Sequence, residues 1–226
     1  MAKRRKQKAK DETIVDIVEA KESAQDYFER NKVLVLSAIA AIVVVVGGLL
    51  FYQTMIKAPN EKMAKEAMYR AEEQFARDSF ALALENPGAG FGGFLDIIDE
   101  YPGTSAANIS KYYAGVSYLN LGRFDAAIEY LEDFSPAGAI TPVMKKGILG
   151  DAYAETGNLD KALSLYKSAA DSDNEFLTPY YLKKYGMLAE KQGDTAAAQK
   201  AYNRIKDEYP ASQEALDIEK YIAKNQ

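Results

Sequence analysis

The chain contains no cysteine, no histidine and no tryptophan. Without cysteine there is no disulfide framework, so an oxidising compartment would leave the chain unchanged. Without histidine and cysteine, zinc sites built on them, Ser-His and Cys-His catalysis and haem ligation are excluded. Charge is scarce in one place. Val33–Tyr52, VLVLSAIAAIVVVVGGLLFY, is 20 residues with none. As a helix it would span roughly 30 Å, the hydrocarbon thickness of a bilayer. A buried helix of a soluble core rarely stays uncharged for so long. A cleaved signal peptide has a shorter apolar run and a small-x-small site after it. This run instead follows 32 residues and ends in FYQTMIKAP. The expectation is an uncleaved membrane anchor over residues 33–56.

Charge also predicts orientation. MAKRRKQKAK at the start holds six Lys or Arg and no acid, and basic flanks stay cytoplasmic. Residues 1–57 carry 10 basic and 7 acidic groups. Residues 58–226 carry 18 and 26, a net of −8. The expected organisation is a cytoplasmic tail (1–32), the anchor, and an acidic exported domain (57–226). That acidity argues against nucleic-acid binding. In the tail, Ile14, Ile17, Val18, Tyr27 and Phe28 recur at helical spacing, and Thr13 with Asp16 could cap the helix. Its readings are an amphipathic partner-binding helix or a partly ordered topology signal.

The exported part shows no strand pattern. Three segments align on one another: AGVSYLNLGRFDAAIEYLEDF, LGDAYAETGNLDKALSLYKSA and YGMLAEKQGDTAAAQKAYNRI. Gly115, Gly150 and Gly186 hold the second place. Turn glycines Gly122, Gly157 and Gly193 follow, then Ala127, Ala162 and Ala198, then Leu131, Tyr166 and Tyr202. Small residues would let two helices approach, and large ones would fill the space beside them. Residues 58–104 read as an irregular first pair of helices. Its stripe of Ala64, Ala67, Met68, Ala71 and Phe75 is separated from Phe94–Ile98 by the loop ENPGAGFGGF. The glycines there are no phosphate cradle, because no strand precedes and no Lys-Ser/Thr follows. After Pro210, QEALDIEKYIAK predicts a capping helix with Ala215, Ile218, Tyr221 and Ile222 inward.

Two joints, DEYPGTSAA at 99–107 and DEYPASQEA at 207–215, repeat one another. Pro102 and Pro210 should stop the preceding helix. The sequence predicts Ser105, Thr141, Thr178 and Ser212 as N-caps, with Pro142 and Pro179 at the first helical position.

The pattern resembles the tetratricopeptide repeat, with Gly115-x-x-Tyr118 and Gly150-x-x-Tyr153 and the three turns as its signature. Lys111, Lys146 and Leu182 stand where that family has its Trp-like residue. The resemblance implies an all-α solenoid of about three helix pairs, with a protein-binding groove lined by the first (A) helix of each pair. Transferred by frame, the groove residues are Tyr112, Val116, Leu119 and Asn120; Asp151, Ala154 and Glu155; then Lys183, Met187, Glu190 and Lys191. The layout is also similar to the YfgM-type family of bacterial envelope proteins. That similarity implies a non-enzymatic, chaperone-like adaptor of the inner membrane, with its repeat domain periplasmic. Its partners would be Sec translocon subunits, a membrane-anchored periplasmic chaperone or exported clients. The alternative is a scaffold for outer-membrane or cell-wall assembly. Ser37, Ala41, Gly47 and Gly48 are the small residues expected to pack the anchor on partner helices. No catalytic residue set, metal site, cofactor or small-molecule substrate is expected. Adjacent carboxylates such as Asp99/Glu100, Glu132/Asp133 and Asp207/Glu208 diverge on a helix and do not share a site.

Overall fold

A computed structural model describes the backbone of residues 2–224 and the side chains from Tyr27 onward. Two compact units meet at Pro59 and Asn60. The first contains α1 (Ala2–Phe51), with non-helical backbone at Asn31, followed by a π-helical stretch, Tyr52–Lys57. The side chains of Ile14, Ile17, Val18 and Asp16 lie outside the described residues. Thr13 sits inside α1, which begins at Ala2, so it does not start a helix. Tyr27 and Phe28 are exposed. From Tyr27 this helical stretch is long and apolar enough to cross a membrane, and its most apolar part is wholly unburied. Gly47 and Gly48 have open space where a side chain would stand. Ser37 returns its hydroxyl to the Leu34 carbonyl at 2.9 Å.

The second unit is all helical among the described residues. It starts at Asn60 inside α2 (Ala58–Phe75) and continues with α3 (Phe80–Glu85) and α4 (Phe94–Glu100). Three antiparallel pairs follow: α5 (Ser105–Asn120) with α6 (Phe124–Asp133), α7 (Thr141–Glu155) with α8 (Leu159–Ala170), and α9 (Leu177–Lys191) with α10 (Thr195–Glu208). A 3-10 turn (Gln213–Asp217) and α11 (Ile218–Lys224) close the unit, burying Ile218 and Ile222.

The repeat frame explains the packing residue by residue. A Cβ on Gly115, Gly150 or Gly186 would fall 2.4, 2.7 or 2.5 Å from Leu131, Tyr166 or Tyr202 respectively. Each contact joins an A helix to the second (B) helix of its own pair. Ala127, Ala162 and Ala198 are wholly buried in the same seams. The turn glycines Gly122, Gly157 and Gly193 take φ of +73°, +83° and +85°, which glycine adopts without steric cost.

Several expectations need correction. The cap of α5 is Thr104, not Ser105: its Oγ1 accepts from the Ala107 N–H at 3.0 Å. Helices α7 and α9 begin at Thr141 and Leu177, one residue after Ile140 and Phe176. Thr141 and Thr178 therefore lie inside the first turn, where they bond back to Ala137 and Ser172. Pro142 is the second helical residue and Pro179 the third, both among the positions whose N–H needs no helical partner. The first pair also contains α3, missed because a six-residue helix carries too little periodicity to register. The closing segment starts as a 3-10 turn, where Ser212 does cap as expected, through Ala215 at 3.2 Å. As predicted, α4 and α10 stop before Tyr101-Pro102 and Tyr209-Pro210.

The glycine-rich loop has a structural account. Gly88, Ala89 and Gly90 all take positive φ, and a Cβ on Gly93 would lie 2.0 Å from the Leu84 carbonyl oxygen. Gly93 N–H donates to Asp96 at 2.9 Å, starting α4.

Candidate functional site

The A helices α5, α7 and α9 each carry a further stripe of side chains beside the glycine seam that meets the B helix. Helical spacing puts Tyr112, Val116 and Leu119 on that stripe in α5, and Met144, Ile148, Asp151 and Ala154 in α7. In α9 it carries Tyr180, Lys183, Lys184, Met187 and Lys191. These positions are half-buried or exposed, whereas Ala114, Gly115, Gly147, Ala152, Gly186 and Ala189 between them are buried. Tyr180 and Met187 are the open apolar members, at 42% and 49% exposure.

The middle of the stripe is a polar network. Asp151 Oδ1 accepts from the Tyr166 hydroxyl at 2.6 Å and from Lys184 Nζ at 2.6 Å. Burial opposes the Lys184 ammonium, but Asp151 outweighs it, and the Lys184 pKa rises above its ordinary value. The same ammonium lies 5.0 Å from the Tyr180 ring centre, within cation–π range. Burial, with Asp151 beside it, pushes the Tyr166 hydroxyl up so that it stays a donor. Tyr181 packs edge-on against Tyr180 and lies over Gly147, where a Cβ would meet its ring at 2.0 Å. Gly147 therefore serves an inter-pair contact between α7 and α9, unlike the other helical glycines of the pairs.

Several predicted groove residues are committed within the chain. Lys183 donates to Asp217 at 2.7 Å, and its ammonium lies 5.1 Å from the Tyr221 ring. Lys183 and Lys220 hold the Asp217 carboxyl below its usual pKa. Glu190 accepts from the Tyr202 hydroxyl at 3.2 Å and from Lys224. Asn120 returns its amide to the Val116 carbonyl at 2.8 Å. Tyr112 packs against Phe134, ring centres 5.5 Å apart, and burial raises its pKa. Glu155, Met187 and Lys191 are exposed, and Val116, Leu119 and Ala154 are half-exposed.

Along the stripe Val116, Leu119, Ala154 and Met187 stay half-exposed or exposed, while Asp151, Lys183 and the neighbouring Glu190 are tied up in contacts between successive elements. Met144, Ile148 and Tyr180 belong to it and were missed. Met144 and Tyr180 could have been found by extending the repeat frame one turn toward the start of each A helix. No group of acidic side chains among the described residues is arranged to hold a metal ion.

A family model described as tetratricopeptide repeat matches residues 110–135 and 184–212, parts of the first and third pairs. No curated protein matches the chain. Repeats of this kind suggest a protein-interaction role, and the chain stacks three helix pairs in succession.

Proposed function

We propose that the chain is a non-enzymatic, membrane-anchored adaptor whose A-helix stripe holds a segment of another protein. The observation that carries this reading is the stripe itself. Tyr112, Val116, Leu119, Met144, Tyr180 and Met187 offer aromatic and flexible apolar surface on a rigid helical frame. Methionine and tyrosine suit partner recognition, because one adapts its shape and the other adds area at little entropic cost. The uncharged run Val33–Tyr52 would tether the chain to a bilayer. The basic start of the chain, set against the acid-rich remainder, supports a cytoplasmic tail and a repeat unit on the far side.

The finer reading is an accessory of the secretion translocon in a bacterial inner membrane. In it, Ser37, Ala41, Gly47 and Gly48 pack the anchor on partner helices. The repeat unit holds a periplasmic chaperone or emerging clients. What supports it is the layout of tail, anchor and repeats. A scaffold of outer-membrane or cell-wall assembly would share that layout and hold one fixed partner. Purification of the full chain from membranes in mild detergent tests the choice. Recovery of translocon subunits with an envelope chaperone is expected. Absence of both, with recovery of an assembly complex, sinks the translocon reading.

A further inference from the structure

A second surface is built from residues outside the A-helix stripe. Among α8, α9 and α10 there is a cavity of about 180 Å³. Its apolar lining includes Leu182, Tyr185 and Ala201. Leu182 and Ala201 are buried, and Tyr185 is partly so. Around it stand Lys167 from α8 and Lys200 and Arg204 from α10, with Asp171 as the one acid.

Three properties separate this place from an ordinary solvated face. The first is charge: three cations stand beside one carboxylate on a segment whose net charge is −8. The second is how little of that charge is neutralised. Neither Lys167 nor Lys200 forms an ion pair among the described residues, and Glu208 takes only the Nε side of the Arg204 guanidinium. Lys167 lies in the last turn of α8, where the helix dipole favours a cation. Lys200 lies mid-helix in α10, where the dipole offers no such reason. The third is size. Small-molecule and cofactor sites run to about 300–1,000 Å³, so 180 Å³ is too small for a cofactor and suits one apolar side chain.

We infer that this cavity is a docking site for an acidic peptide segment of another protein. One aliphatic or aromatic side chain enters between α8 and α10, and flanking carboxylates meet Lys167, Lys200 and Arg204. Arginine and lysine beside an apolar anchor pocket give both charge and shape selection. Charge complementarity selects the occupant: three cations against one carboxylate at the mouth favour a short acidic segment.

The test uses the full chain in nanodiscs of zwitterionic lipid and a fluorescein-labelled heptapeptide of six acidic residues around a central leucine. Fluorescence polarisation should show binding that weakens steeply with salt. Binding should fall at least about tenfold on Lys200→Glu, and similarly when the peptide's leucine becomes serine. Ala197→Met, which fills the cavity from its rim, should block the leucine peptide. Met187→Ala, on the A-helix stripe, should leave it unchanged, which separates this site from the adaptor surface. Circular dichroism confirms that each variant folds, and Lys200→Gln replaces Lys200→Glu if the latter does not. The inference is overturned if the serine peptide binds as well as the leucine peptide, or if Lys200 variants bind normally. It is equally overturned if the leucine peptide does not bind, and binding of anionic-lipid vesicles in its place would assign the cations to a membrane surface.

Discussion

At the scale of single residues, the fold depends on pairs of one small and one large side chain. Gly186 faces Tyr202, which is wholly buried and cannot step aside. In an exposed helix, Gly→Ala would stabilise by about 1 kcal/mol through helix propensity. Here the new Cβ would overlap the Tyr202 ring, and overpacking of this kind costs about 1–3 kcal/mol. Gly186→Ala should therefore lower the urea midpoint of the repeat unit, and a raised midpoint would remove the packing account of that glycine. This part of the fold was legible in the sequence. Gly115, Gly150 and Gly186 stand 16 residues before Leu131, Tyr166 and Tyr202, and the same spacing three times leaves little else for them to do. The N-caps were less legible. Thr104 and Ser105 are adjacent and chemically equivalent as caps, and only the backbone angle chooses between them.

Among elements, the contacts that join one helix to the next hold the array together. Glu61, on α2, accepts from the Ser105 N–H at 2.7 Å and so supplies a cap to α5 from outside it. Its other oxygen lies 3.1 Å from Lys65. Burial tends to raise the Glu61 pKa, but the Ser105 bond and Lys65 outweigh it, and the pKa falls below 4.5. A depressed carboxylate contributes stability that is present above its unfolded pKa and lost as pH falls through the folded one. The stability gap between the parent chain and Glu61→Gln should be constant above about pH 5 and close as the pH drops below 4.5. Thermal melts at stepped pH measure it; a gap that widens in acid would contradict the assignment. Three ion pairs link successive elements at the end of the array: Asp151–Lys184, Lys183–Asp217 and Glu190–Lys224, separated by 33, 34 and 34 residues. That separation is close to one repeat, so partners come from neighbouring A positions. The sequence displayed Asp151, Lys183 and Glu190 as open groove residues because a pattern within one helix says nothing of the next.

For the whole molecule, the repeat unit is a short linear array whose ends need covering. The 3-10 turn and α11 cover its last pair. Deleting residues 213–226 would expose the apolar surface that Ile218 and Ile222 bury. Burial of such a side chain contributes about 1.5–3 kcal/mol, so the truncated chain should melt lower. Hydrogen exchange should speed up in α9 and α10 before α5 and α6; uniform acceleration would show that the array unfolds as one block. Binding was legible only in outline, since the A helices could be placed but not the plug of Tyr181 over Gly147. The central claim, that the A-helix stripe holds another protein, is tested most directly in native membranes. A photoreactive residue at Met187 or Tyr112, with a control at Glu129 on α6, would be irradiated and the adducts identified by mass spectrometry. Protein adducts at Met187 and Tyr112 with none at Glu129 are predicted. Equal labelling at all three positions, or none at the stripe, would contradict it.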